Sequence, residues 1–208
     1  MTTHHPREFP IILMTGTPGT GKSTHAQYLA SVTSTSECKF EHINVSELVK
    51  EKGFHEGWDE EWKSWVMDED KLLDYLEVLL NPPSGPAPTG FIIDHHSPSL
   101  FPERWIDLAV VYTCPNDILY QRLADRGYEQ NKITENVTAE IMQTVLEETR
   151  ESYAEEIVVV LESSGVVEGE MEGNVERVQG WVERWIEEGA GKGHEGVEDR
   201  EEREEREG

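Results

Sequence analysis

The chain has 208 residues, of which 36% are hydrophobic, and carries 43 acidic against 18 basic residues, a formal net charge of -25. That length suits one α/β domain with one site and a tail, and that charge repels a nucleic-acid backbone and either attracts basic partners or only maintains solubility. No apolar run approaches the roughly 20 residues that span a bilayer, and the N-terminus lacks a signal-peptide pattern.

The two cysteines, Cys38 and Cys114, stand in no metal-like spacing and read as buried thiols of a protein in a reducing interior. A soluble, intracellular protein is expected.

In chain order, Phe9 to Met14 is a short apolar run that ends in glycine-rich sequence, and Gly21 to Ala30 has no breaker after its glycine. This reads as strand, loop, helix. Phe40 to Val45 is a second strand, followed by a helix through Lys52 with Ser46 as its expected cap. Leu72, Leu73, Leu76, Leu79 and Leu80 recur at helical spacing within Asp70 to Leu80, and the proline-rich stretch Asn81 to Gly90 is a surface loop.

Phe91 to Asp94 and Leu108 to Thr113 read as buried parallel strands, and Pro115 opens a helix to about Asp125. Thr138 to Tyr153 is expected as one long helix, with Ile141, Met142, Val145 and Leu146 on one side. Ile157 to Leu161 fits a last strand or a continued helix, and Val175 to Ile186 is helical. Strands alternating with helices imply an α/β fold, a doubly wound parallel sheet of about five strands. The domain spans residues 1–188; the tail, residues 189–208, has eight acids, four bases and little apolar surface to bury, and is expected to be disordered. It supplies -4 of the net charge and leaves -21 on the domain.

Gly16-Thr17-Pro18-Gly19-Thr20-Gly21-Lys22-Ser23 fits the P-loop pattern at every fixed position, after a strand and at the opening of a helix. Gly19 and Gly21 let the main-chain amides turn inward around phosphate oxygens. Lys22 is placed to bridge the β- and γ-phosphates of ATP, Ser23 to ligate Mg²⁺, and Thr24 to reach the α-phosphate. Asp94, the acid that ends the run Gly90 to Asp94, is the partner expected to hold Mg²⁺ through water. His95 and His96 follow it, and two readings stay open: one of them orients an attacking water or hydroxyl, or both are polar residues at a strand end.

Together GTPGTGKST, the FIIDHH strand, FPERW at Phe101 to Trp105 and RLADRGY at Arg122 to Tyr128 resemble the adenylate kinase isoenzyme 6 group of small ribosome-assembly factors. The resemblance runs from about Pro10 to Trp185, and Asp94-x-His96 matches the pair that separates this group from ordinary adenylate kinases. It implies a P-loop fold, phosphate transfer from ATP to AMP, ATP hydrolysis, and a role in maturation of the small ribosomal subunit. It also implies binding of a small-subunit ribosomal protein of the uS11 type and of the pre-40S particle, and residence in nucleus and cytoplasm. Sequence-specific nucleic-acid binding and membrane association are not expected.

By the same resemblance Asn44 to Met67 is the monophosphate-binding segment, with Asn44, Val45 and Lys50 as contacts, and Asp125 to Glu135 is a short lid. Arg126 takes the position that contacts ATP, Arg122 faces the phosphates one turn earlier, and Arg104 meets the monophosphate's charge. Each arginine is otherwise a solvated surface charge. Lys50 stands where the group often has arginine and offers a point charge in place of a bidentate fork, which leaves the strength of AMP binding open. Trp58, Trp62 and Trp65 would share a face if helical, and neither periodicity nor composition decides between core packing and a stacking or partner surface.

Two functional classes follow. One is a kinase acting on AMP; the other is an ATP-gated module whose nucleotide state controls its grip on a basic ribosomal partner. A P-loop kinase for another small hydroxyl substrate fits the loop but not Asp94-x-His96.

Overall fold

The computed structural model describes residues 7–35, 39–60, 64–82 and 89–188. Cys38, Trp62, most of the loop after Asn81 and the tail from residue 189 lie outside these, and the expectations that fell on them are neither met nor refuted. No helix among the described residues is long and apolar enough to cross a membrane.

Strands β1 (Ile11–Thr15), β2 (Lys39–Asn44), β5 (Thr89–Asp94), β6 (Leu108–Thr113) and β7 (Val158–Glu162) form one sheet in the order β2-β5-β1-β6-β7, with every neighbouring pair parallel. Helices α1 (Lys22–Thr33), α2 (Val45–Lys52), α3 (Glu69–Leu80), α4 (Asn116–Asp125), α5 (Gln130–Ile141), α6 (Thr144–Ser152) and α7 (Glu170–Glu187) flank it. An antiparallel hairpin, β3 (His55–Asp59) and β4 (Ser64–Met67), is inserted between α2 and α3. The expected parallel sheet of five strands is observed, with Ile157 to Leu161 resolved in favour of a strand.

The sheet explains why its central strands are apolar at every position. Ile11 and Leu13 join one core with Ile93, Val45 and the leucines of α3, while Ile12 and Met14 join a second with Ile92, Ala26 and Leu29 of α1 and Val178 and Val182 of α7. Alternate residues on a strand face opposite ways, so a strand covered on both faces must be apolar throughout. Each fully buried aliphatic side chain contributes about 1.5–3 kcal/mol relative to exposure, which anchors the middle of the sheet. Phe101 and Trp105 of FPERW are 2% exposed and belong to the first core.

Three local expectations are corrected. Thr138 to Tyr153 is not one helix: α5 ends at Ile141, Gln143 takes a left-handed conformation with φ 53°, and α6 starts at Thr144. Ile141 and Met142 are 58% and 68% exposed, so only the second half of the expected stripe, with Leu146 at 6%, is buried. Asn44, not Ser46, caps α2: its side chain accepts from the Glu47 amide at 3.0 Å, two residues earlier than expected because β2 runs directly into the helix. Trp58 and Trp65 face each other across the β3–β4 ladder with ring centroids 5.2 Å apart, and both are exposed, so they are strand residues on an open surface.

Candidate active site

In a parallel sheet the chain leaves every strand on the same side, and here the exits of β1, β2 and β5 bring together the residues read from the motifs. β1 exits into the loop Gly16 to Gly21. Gly16 sits at φ 143°, and a Cβ placed there would lie 2.4 Å from the Tyr112 carbonyl oxygen; Gly21 sits at φ 95° immediately before α1. Thr20 closes the turn, its amide and hydroxyl reaching the Thr17 carbonyl at 3.2 and 2.9 Å. No side chain caps α1, whereas Asn44 caps α2 and Asp68 caps α3. The α1 terminus is therefore left to an outside acceptor, and the helix dipole selects an anion.

Lys22 and Ser23 open α1 beside Asp94, which ends β5 in pairing distance of Met14. Burial lowers the Lys22 pKa, and the nearby Arg126 charge adds to this, while Asp94 and Glu140 pull against it. Asp94 shows the reverse balance. Burial raises its pKa, but contacts from His42 and Ser23 and the charge of Lys22 outweigh that and keep the carboxylate below its ordinary range. Ser23 and Asp94 supply a hydroxyl and a carboxylate, hard oxygen donors of the kind Mg²⁺ takes together with phosphate oxygens. Among the described residues no group of three or more His, Cys, Asp or Glu is placed to hold a metal ion.

His95 and His96 diverge in surroundings although adjacent. His95 is 4% exposed, stacked on His96 and edge-on to Phe101, and burial pushes its pKa down to about 3. His96 is open to solvent, and its pKa is lowered by partial desolvation and by Lys22. A neutral imidazole beside the loop can accept a proton or orient water; a buried one stacked in the core does not reach them.

The other expected contacts divide. Arg126, at the end of α4, is exposed and close enough for its charge to act on Lys22. Arg122 donates from its two terminal nitrogens to the Ser163 and Ser164 carbonyls at 2.9 Å each and to the Gly19 carbonyl at 3.4 Å, which ties it to the back of the loop. Arg104 lies 3.6 Å from Glu77 on α3. Val45 is fully buried, Lys50 is exposed on α2, and Thr24 is exposed on α1. The span Asp125 to Glu135, expected as a short lid, covers the turn from α4 into α5 and the first half of α5.

Two residues outside every motif also reach the site. Glu140 of α5 accepts from the Thr17 hydroxyl at 2.5 Å and from the Cys114 amide at 2.8 Å, tying α5 to the loop. His42 of β2 lies 3.4 Å from Asp94. The only hint of His42 in the sequence was its position two residues before Asn44, on the same face of a strand; a single glutamate within a helix gave none for Glu140. Behind the loop a cavity of about 340 Å³ is lined by Thr17, Glu140, Gln143, Val160 and Glu162, on the side of β6 and β7 away from Asp94. Cys114, at its rim, is a buried thiol whose pKa is pushed up to about 11, an inert group.

A glycine loop on an uncapped helix that opens with Lys22 and Ser23, with Asp94 at the end of the neighbouring parallel strand, defines a P-loop protein of the kinase-like kind. The AAA domain family model matches residues 12–143. The fold is shared with shikimate kinase from Bacteroides thetaiotaomicron, with a TM-score of 0.50 at 16% identity over 84% of this chain and 99% of that one. It is shared equally with the crystal structure of APE1195, with a TM-score of 0.55 at 16% identity over 88% and 99%.

Sequence narrows the class. The chain is 46% identical to the adenylate kinase isoenzyme 6 homolog of Schizosaccharomyces pombe over 86% of this chain and 95% of that one. It is 42% identical to the homolog of Dictyostelium discoideum over 87% and 96%, and 42% identical to the homolog FAP7 of Saccharomyces cerevisiae over 86% and 85%. The chain belongs to the adenylate kinase isoenzyme 6 family.

Proposed function

We propose that the chain binds MgATP on the Gly16 to Ser23 loop and transfers the terminal phosphate to AMP held over Asn44 to Met67, with slow ATP hydrolysis when AMP is absent. The observation that carries this is the convergence of Lys22, Ser23 and Asp94 at an uncapped helix terminus. Lys22 sets its ammonium against the β- and γ-phosphates, Gly19, Gly21 and Thr24 offer main-chain and hydroxyl donors, and Arg126 approaches from the α4–α5 corner. Ser23, and Asp94 through water, would hold Mg²⁺, which would supply charge neutralisation on the phosphates. Phosphoryl transfer needs alignment and positive charge more than covalent help, which is what these groups supply. His96, its pKa lowered by desolvation and by Lys22, orients the attacking water when ATP is hydrolysed.

In the same reading the protein works in maturation of the small ribosomal subunit, in nucleus and cytoplasm, and binds a basic ribosomal protein of the uS11 type on the pre-40S particle. The acidity of the domain supports this, and it equally supports an ATP-gated assembly factor with little kinase activity. Measuring ADP formation from ATP with and without AMP separates the two. A kinase is accelerated by AMP at least about tenfold, a plain ATPase is unchanged, and Lys22→Ala lowers either rate by about 10³-fold through loss of charge stabilisation. Near-normal turnover by Lys22→Ala overturns the site.

A further inference from the structure

β2 lies beside β5 in a register that sets His42 opposite Ile92 and Asn44 opposite Asp94. Two residues apart on a strand, His42 and Asn44 leave the same face, and both reach the carboxylate at the end of β5. Asn44 Nδ2 is 3.0 Å from Asp94 Oδ2, and His42 Nε2 is 3.4 Å from the same oxygen. An ionised carboxylate only accepts, so whatever hydrogen bond closes across this gap is donated by the Nε2–H of His42. That nitrogen is buried and makes no hydrogen bond of ordinary geometry among the described residues, the Asp94 oxygen at 3.4 Å being the polar neighbour it faces. The contact is long for a hydrogen bond, so its worth lies less in energy than in direction.

We propose that His42 is a positioning residue for Asp94. With Asn44 it restrains one carboxylate oxygen from the β2 side, which fixes how the group is presented to Ser23 and to the cation that accompanies the nucleotide. The inference rests on the MgATP reading above and adds which neighbour aims its acid. Asn44 offers Asp94 donors from Nδ2 alone, since its amide oxygen only accepts and takes the Glu47 amide. A single donor also leaves the carboxylate free to swing about that bond.

The test is binding of a fluorescent ATP analogue to the full chain across a Mg²⁺ titration, with EDTA as the metal-free baseline. His42→Phe keeps a ring and removes the N–H; His42→Gln returns an N–H donor. The Mg²⁺ concentration that gives half of the metal-dependent gain in affinity should rise about tenfold in His42→Phe, as for loss of a group that orients a metal ligand, and His42→Gln should recover to within about threefold. Affinity in EDTA should stay within about twofold of wild type in both, since the contact acts through the cation's ligand.

A wild-type Mg²⁺ midpoint in His42→Phe overturns the proposal. Equal shifts in the Phe and Gln variants overturn it too, since ring volume would then be what matters. Should His42→Phe fail to fold in a thermal melt, His42→Leu replaces it in the same comparison. Nucleotide binding by Lys22→Ala that equals wild type would sink the parent reading instead, so the two failures are distinguishable.

Discussion

The phosphate loop and the α5–α6 corner are joined by one carboxylate, Glu140, which accepts from Thr17 of the loop and from the Cys114 amide. They turn the chain in opposite ways. The loop uses glycine where φ is positive, at Gly16, Gly19 and Gly21, and its surroundings are closed: a Cβ on Gly16 meets main chain and one on Gly19 meets Leu119 and Leu123. The corner uses Gln143 at φ 53°, the one non-glycine residue with positive φ among those described, flanked by exposed Ile141 and Met142. A left-handed residue facing solvent pays only its own local strain; one pressed against backbone has no room for a side chain at all.

The sharpest way to break this contrast is Gly16→Ala. The methyl group would sit 2.4 Å from the Tyr112 carbonyl oxygen, on a main chain paired on both sides in the sheet, and at a φ that L-residues avoid. Overpacking and backbone strain together should cost on the order of 3–5 kcal/mol and abolish nucleotide binding. Urea unfolding checks the first and analogue binding the second. A variant within about 1 kcal/mol of wild type would show that the loop tolerates what the contrast says it cannot.

A smaller effect probes the buried side through charge. His95, stacked on His96 and Phe101, has its pKa held down to about 3 by burial, against an ordinary 6.5. The unfolded chain therefore binds a proton between those values that the folded chain refuses, so stability is complete above about pH 6.5 and falls as pH drops toward 3. At pH 5 the loss from this one group is about 2 kcal/mol, at about 1.4 kcal/mol per pH unit. His95→Phe keeps the stacking and should flatten the pH 7 to 5 decline by about that amount relative to wild type in urea titrations. Parallel declines in the two proteins would mean that His95 is not excluded from water as the structure has it.

The same contrast explains what could be read in advance. Buried parallel strands need apolar residues on both faces, so Ile11 to Met14, Phe91 to Ile93 and Leu108 to Val111 were plain as strands. Glycine at positive φ is visible as a letter, so the loop and Lys22, Ser23 and Asp94 were found together. The surface elements left weaker marks. Gln143 carries no break signal, so α5 and α6 read as one helix; the tryptophans of the hairpin fit a helical spacing although they pair across strands. Arg122 shows a third limit: the motif placed its backbone, but only the packed structure shows its guanidinium bonded to the Ser163 and Ser164 carbonyls. His42 reaches Asp94 through strand order, β2 beside β5, which no local pattern encodes.

The least effect belongs to the exposed corner itself. Main-chain bonds there are already made, the Gln143 amide reaching the Glu140 carbonyl and the Glu147 amide reaching the Gln143 carbonyl, both at 3.0 Å, so a substitution changes only strain and the side chain. Gln143→Gly removes a left-handed penalty of about 1 kcal/mol. It also returns some of that as added freedom of the unfolded chain, leaving a net gain of about 0.5 kcal/mol. That corresponds to a rise of only about 1–2 °C in melting temperature for a chain of this size. Kinase and ATPase rates should not move. A loss of stability instead of a gain would mean that the Gln143 side chain, which lines the cavity behind the loop, holds something there that solvent does not replace. The corner would then belong with the phosphate loop, as a turn whose residue type is dictated by what packs against it.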